Sequence, residues 1–105
     1  MHIHIRAKDF ELTDALRDQV ERRVRLALTR FADRLDGVTV RIEQRVARVE
    51  GDARYSCEVA MAPVRLEVLE EHDRIETAID RAIDRAARLA APLVIRNPLP
   101  PKSGR

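Results

Sequence analysis

The chain has 105 residues, which is enough for one small domain with a single hydrophobic core. Charged residues make up 36% of it but nearly balance at a formal net charge of +2, so total charge identifies no class of partner. The sequence has no apolar run of membrane-spanning length and no signal-peptide pattern, and its one cysteine, Cys57, excludes an internal disulfide. We therefore expect a cytoplasmic protein with no membrane partner.

The first two predicted elements are a strand and a long helix. In MHIHIR, Ile3 and Ile5 alternate with polar residues, which indicates a strand with one buried side. A helix is predicted from about Thr13, a good N-cap residue, to Leu35, just before the Asp36-Gly37 stop signal. Its core stripe consists of Leu16, Val20, Val24, Ala27, Leu28, Phe31 and Leu35.

Three further strands and a second helix follow. Alternation predicts core-facing side chains on each strand, with Pro63 separating the last two strands. These side chains are Val38, Val40 and Ile42, then Tyr55, Cys57, Val59 and Met61, then Val64, Leu66 and Val68. The second helix is expected to begin at Asp73, with Glu76 completing a capping box, and to end before Pro92. This divides the chain into a domain at 1–91 and a mobile, proline-rich tail at 92–105.

The predicted order β-α-β-β-β-α defines an α+β fold. A crossover through a helix of more than about 20 residues implies that the first two strands pair in parallel. The later hairpins are antiparallel. The expected architecture is a four-stranded mixed sheet with both helices packed on one face.

The last helix carries a basic edge. At about 100° per residue, its arginines project within an arc of roughly 60°, apart from the apolar stripe and from a third sector that holds Glu76, Asp80 and Asp84. These arginines are Arg74, Arg81, Arg85 and Arg88. Like charges side by side repel, so the pattern favours an external anion, although a simply solvated helix face stays open. We expect this edge to join arginines of the first helix.

Other chemistry is poorly supported by the sequence. His2 and His4 could face one metal ion with help from Glu43 or Glu58, but solvated histidines are the preferred interpretation. The chain has no glycine-rich phosphate loop, and no nucleophile is paired with a base. We therefore expect no enzymatic activity, no metal, no cofactor and no small-molecule substrate.

Three segments resemble one known family. They are MHIHIRAKDFELTDALRDQVERRV, FADRLDGVTVRIE and the D-x-x-x-x-A-I-D-x-A-I-D-R pattern at 73–85. All three are similar to the ribosome hibernation promoting factor family, also called ribosome-associated inhibitor A or sigma-54 modulation proteins, over about residues 1–90. Long members carry a second, dimerising domain, and this chain resembles the short form.

The resemblance implies a fold like that of the double-stranded-RNA-binding domain (dsRBD). It also implies a stress-response role in translation regulation, in which the protein binds ribosomal RNA in the mRNA and tRNA channel of the small ribosomal subunit. Carried over position by position, the RNA-binding residues would be Arg22, Arg23, Arg25, Arg74, Arg81, Arg85 and Arg88. The helical spacing selects the last four independently.

A non-catalytic protein-binding or homodimerising module is the alternative. It would use the open sheet face, which mixes charges of both signs, and weak homo-oligomer formation is left open. The residues expected on that face are Thr39, Arg41, Glu43, Glu58, Arg65, Glu67 and Leu69. Salt dependence separates the two functions, because neutralising phosphates makes binding steeply salt-sensitive.

Overall fold

The computed structural model describes residues 1–46 and 53–96. It contains four strands, two α-helices and a 3-10 segment. In chain order these are β1 (His2–Lys8), α1 (Asp14–Leu28), the 3-10 segment (Thr29–Arg34), β2 (Gly37–Val46), β3 (Ala53–Ala62), β4 (Leu66–His72) and α2 (Ile75–Arg96). The predicted α+β order is thus confirmed. Within the described residues, no helix is both long and apolar enough to cross a membrane.

The four strands form one mixed sheet in the order β1-β2-β3-β4. β1 lies parallel to β2, with His2 opposite Gly37, and the other two pairings are antiparallel. The parallel pair follows from the helical crossover, which returns the chain to the same end of the sheet. At that end the His2 amide donates to the Asp36 carbonyl at 3.0 Å, and the Asp36 amide donates to the Ala62 carbonyl at 2.8 Å.

Both helices pack on one face of the sheet and enclose a single core. The fully buried side chains include Leu28 and Val24 of α1, Ile42 of β2 and Ala82 of α2. Cys57 of β3 lies among them with no exposed surface, as the alternation predicts. Burial, and to a lesser extent the neighbouring Glu58 carboxylate, raises the pKa of the Cys57 thiol to about 12. The thiol is therefore a core group rather than a reactive one.

The first helix is shorter than predicted. The α-helical part ends at Leu28, and the chain continues to Arg34 as a 3-10 helix. A 3-10 helix has three residues per turn, so Phe31 falls directly below Leu28, and both side chains are buried. The Thr29 hydroxyl donates to the Arg25 carbonyl at the junction. The hydrophobic spacing alone does not reveal this change of pitch.

The second helix differs from the prediction at both ends. The first intrahelical bond runs from the Ala78 amide to the Arg74 carbonyl, which makes Arg74 the N-cap residue rather than Asp73. The helix also continues through Pro92 to Arg96. Proline removes one backbone donor there, but Val94 beyond it is 2% exposed, so burial holds the last turn against the core.

The connections need two further corrections. Val64 is buried but lies in the turn between β3 and β4 rather than on a strand, and Ala62-Pro63 is a cis peptide bond. His72 is the last residue of β4, and its Nδ1 accepts from the Arg74 amide at 3.0 Å. Since α2 runs past Pro92, the predicted boundary at 91 falls inside a helix. The sequence predicts a mobile tail at 92–105, and of this range 97–105 lie outside the described residues.

Candidate nucleic-acid interface

Two of the candidate arginines on α1 are exposed and have no acidic partner among the described residues. Thr13 caps the helix, its side chain accepting from the Leu16 amide at 3.1 Å, and this fixes which residues face outward. Arg22 and Arg25 are exposed, and neither forms an ion pair within the described residues. Buried Val20 and Val24 hold the opposite side of the helix on the core. Both guanidinium groups are therefore available to an external anion.

Arg23 lies at the junction of the two helices. Its Nε is 2.8 Å from Oδ1 of Asp80 on α2, and the two side chains are 47% and 39% exposed. Beside this pair runs a groove of about 400 Å³ between the helices. It is lined from α1 by Arg23 and Leu26 and from α2 by Asp80, Arg81, Ile83 and Asp84. Acidic and basic groups thus occur in equal numbers among its charged lining residues.

Three candidate arginines lie on α2 and a fourth, Arg74, is its N-cap residue; two of the four have acidic partners. Nη1 of Arg85 is 2.9 Å from Oε2 of Glu70 on β4, and Nη1 of Arg88 is 3.0 Å from Oδ2 of Asp84 one turn earlier. Arg74 and Arg81 are exposed and form no ion pair within the described residues. Exposed ion pairs are weak, at about 0–1 kcal/mol, so the two paired guanidinium groups can also exchange partners.

The arginines of the two helices do not merge into one uninterrupted stripe, contrary to the expectation. Asp80 and Asp84 line the groove between them, and only Arg23 and Arg81 reach it. At about 100° per residue, Arg25 projects about 160° away from Arg23, toward the other flank of α1. The candidate arginines therefore lie on both sides of a groove of mixed charge.

Arg30 and Arg34, the two arginines of the 3-10 segment, each contact a specific neighbouring group. The Arg30 guanidinium lies 4.9 Å from the centroid of the Phe31 ring, in a cation-π arrangement. Nη1 of Arg34 donates a long hydrogen bond, 3.5 Å, to the Val94 carbonyl of α2. This contact links the 3-10 segment to the turn after Pro92.

The open sheet face has a different charge arrangement, because several of its basic side chains pair with glutamates of the sheet. Arg41 is 3.4 Å from Glu58, and Arg45 is 3.3 Å from Glu71. Glu43 lies 3.8 Å from both Lys8 and Arg45. Leu69 is 51% exposed beside this network. Arg65, expected here, lies instead in the turn before β4.

The remaining candidate residues are two histidines on β1 and two glutamates on β4. His2 and His4 are exposed on β1, and within 1–46 and 53–96 no group of three potential metal-ligating His, Cys, Asp or Glu side chains occurs. Glu70 and Glu71 belong to β4 and pair with Arg85 and Arg45, respectively. These carboxylates therefore contribute to the charge arrangement of both faces.

Sequence reasoning missed the partners of Arg23 and Arg85 and the exposed Leu26 in the groove. The helical spacing does place Asp84 near Arg88 at i and i+4, and that pair is present. The Arg23–Asp80 and Arg85–Glu70 pairs join residues 57 and 15 positions apart. No local spacing signals such pairs, because they depend on how α2 is rotated against α1 and β4.

Solved structures share this fold. The N-terminal domain of Thermus thermophilus Protein Y is similar with 28% identity and a TM-score of 0.66, over 89% of this chain and 99% of that one. A ribosomal subunit interface protein from Coxiella burnetii is similar with 11% identity and a TM-score of 0.68, over 90% of this chain and 99% of that one. At 11% identity the second likeness concerns the fold alone.

The sequence identifies the family. The chain belongs to the sigma 54 modulation protein / S30EA ribosomal protein family, whose sequence model matches residues 3–90. No curated protein matches the chain. Family membership confirms the resemblance drawn from the opening strand and helix and from the 73–85 pattern, and it places the chain among ribosome-associated modulation factors.

Proposed function

We propose that this protein binds the small ribosomal subunit through arginines of α1 and α2 and excludes mRNA and tRNA from their channel. The observation that carries the proposal is the set of candidate arginines that are exposed without acidic partners in the described residues, namely Arg22, Arg25, Arg74 and Arg81. No chemical step is involved. The protein would act in the cytoplasm as a ribosome hibernation factor.

Arginine suits this role for a physical reason. Its planar guanidinium donates two parallel hydrogen bonds to a phosphate, and each phosphate that is neutralised releases counterions into the solvent. Folded RNA is recognised mainly through its shape and backbone, so arginines distributed over two rigid helices can match the positions of several phosphates. This mode of binding agrees with the dsRBD-like fold that the resemblance implies.

The relatives support the ribosome as the target. The family description names a ribosomal protein. A domain seated in the mRNA and tRNA channel would block translation by steric exclusion alone. Arg23, Arg85 and Arg88 would join the contact once phosphates replace their carboxylate partners.

A protein-binding role for the sheet face is the second candidate. It is favoured by Leu69, which is half exposed on the edge strand β4 next to the Arg45–Glu71 pair. An apolar residue within a paired charge network suits a protein surface better than a phosphate backbone. Self-association through this face would also account for a weak homo-oligomer.

The first test is cosedimentation of the purified protein with small ribosomal subunits over a salt series. Four phosphate contacts predict that log K falls against log salt with a slope of about −3 to −4. Subunits preloaded with mRNA and tRNA serve as the matched control and should bind much less protein. A nearly salt-independent affinity, or equal binding to preloaded subunits, would contradict the proposal and favour a protein contact.

A further inference from the structure

The groove between the helices has a feature that a phosphate-binding surface does not need. Two arginines and two aspartates line it, so its formal charge is zero. Asp80 contacts the Nε of Arg23 at 2.8 Å, while Asp84 contacts Arg88 at 3.0 Å on the outside of the same helix. One groove acid therefore holds an arginine of the neighbouring helix, and the other does not.

We propose that Asp80 competes with RNA phosphate for Arg23 and thereby limits the affinity and the range of RNAs that the protein accepts. The inference rests on the proposed function, because it assigns a role to a residue at the same surface. Asp80 would occupy the place of a phosphate oxygen on the guanidinium when the protein is free, and RNA would have to displace it.

The geometry supports exchange rather than permanent pairing. Both side chains are partly exposed, at 47% and 39%, so neither charge depends on the other for solvation. Nε is an edge donor of the guanidinium, and the Asp80 carboxylate already occupies it. A phosphate that reached Arg23 with Asp80 in place would lie beside a like charge, which is unfavourable. Phosphate binding and the Arg23–Asp80 contact are therefore alternatives.

The competition has a consequence for selectivity. A weakly held phosphate would gain little by displacing Asp80. Binding becomes favourable when the RNA shape brings phosphates to Arg23 and Arg81 together, since both arginines reach the same groove. Asp80 would thus suppress binding to arbitrary RNA more than binding to the fitting site. Specificity built from an unfavourable contact of this kind is a general strategy of protein interfaces.

The test compares Asp80→Asn with Glu76→Gln. Both substitutions remove one negative charge from the same sector of α2, but only the first releases an arginine, because Glu76 is exposed and outside the ion pairs of the described residues. Each would be made in the wild-type chain and together with Arg23→Gln. Binding would be measured at several salt concentrations to two targets. One is the small ribosomal subunit, and the other is a mixed-sequence RNA duplex of about 20 base pairs, roughly two helical turns. Thermal unfolding of every variant checks that the fold is kept.

We expect Asp80→Asn to bind the subunit about three- to tenfold more tightly and Glu76→Gln at most about twofold, with a larger gain on the duplex for Asp80→Asn. The salt slope should steepen by about one phosphate contact for Asp80→Asn alone. In the Arg23→Gln background the two variants should become equivalent, because the arginine for which Asp80 competes is gone.

Three results would overturn the inference. Equal gains for the two variants would mean that only the overall charge matters. Weaker binding by Asp80→Asn would mean that the carboxylate positions Arg23 for RNA. Binding that is unaffected by Arg23→Gln would place Arg23 outside the contact, while the proposed function would stand. If neither the wild-type chain nor any variant bound the subunit or the duplex, the proposed function would fail as well.

Discussion

The two faces of this domain arrange their basic groups differently. On the open sheet face, Lys8, Arg41 and Arg45 each lie within 3.8 Å of a glutamate on the sheet. On the helical face, Arg22 and Arg81 have no acidic partner in the described residues. Arg6 and Arg54 of the sheet face are also exposed and outside the ion pairs of the described residues, so the faces differ in how many guanidinium groups stay unpaired, not in whether any do.

Secondary structure explains much of this difference. Antiparallel strands place residues directly opposite each other, so that Arg41 faces Glu58 across the β2–β3 ladder and an ion pair forms without help from elsewhere. On a helix the neighbours are three and four residues away, and α2 places Arg81, Arg85 and Arg88 at that spacing. The helical arginines therefore repel one another, and only groups from outside the stripe can balance them.

The largest expected effect comes from reversing charge on the helical face. Arg22→Glu with Arg81→Glu should weaken binding to the small subunit by about 100-fold or more, because two phosphate contacts become repulsive. Both side chains are exposed, so the fold should be kept. Cosedimentation at fixed salt measures the loss.

The matched control is Arg6→Glu with Arg54→Glu on the sheet face. It changes the net charge by the same amount, and both arginines are exposed and outside the ion pairs of the described residues. Binding should fall only slightly, through long-range electrostatics. If the sheet-face variant loses as much as the helical one, the contrast between the faces has no functional meaning.

The next prediction separates folding from charge. Leu28→Ala removes a fully buried side chain beneath α1 and should lower the free energy of unfolding by about 2–5 kcal/mol. Leu26→Ala, two residues earlier and 71% exposed, should change it by less than about 0.5 kcal/mol. Chemical denaturation measures both values. Equal effects would show that α1 is not held on the sheet by this stripe.

The smallest effect concerns the sheet-face network. Glu43→Gln removes the partner that Lys8 and Arg45 share, and it should cost less than about 1 kcal/mol in the free energy of unfolding. Affinity for the small subunit should stay within about twofold of wild type. Glu67→Gln, an exposed change outside the ion pairs of the described residues, is the control. A large gain in subunit binding for Glu43→Gln alone would mean that the sheet face can also bind RNA.

Periodicity predicts most of the fold. The alternation around Val40 and Cys57 identifies the core side of the sheet, and the long helix between the first two strands determines their parallel pairing. Boundaries are less predictable, because tertiary burial overrides local signals there. Phe31 enters the core through a 3-10 segment, and Val94 keeps α2 helical beyond Pro92.

The candidate site could be predicted only as a set of positions. Helical spacing correctly places Arg74, Arg81, Arg85 and Arg88 on the exposed side of α2. It does not predict that Arg85 meets Glu70, or that Arg23 meets Asp80, because those distances depend on packing between elements. Whether the seven arginines contact RNA is the subject of the proposals above.

The labelling rate of the buried Cys57 thiol would report how often the folded domain opens. Thiolate is the form that attacks alkylating reagents, and Cys57 has no exposed surface and a pKa of about 12, so the folded chain should be inert near neutral pH. Labelling would then occur only when the helices lift from the sheet, at a rate set by that opening. A bound ribosomal subunit that clamps both helices would slow the labelling. The rate at which alkylation increases the mass of the protein would then report subunit occupancy without an introduced cysteine.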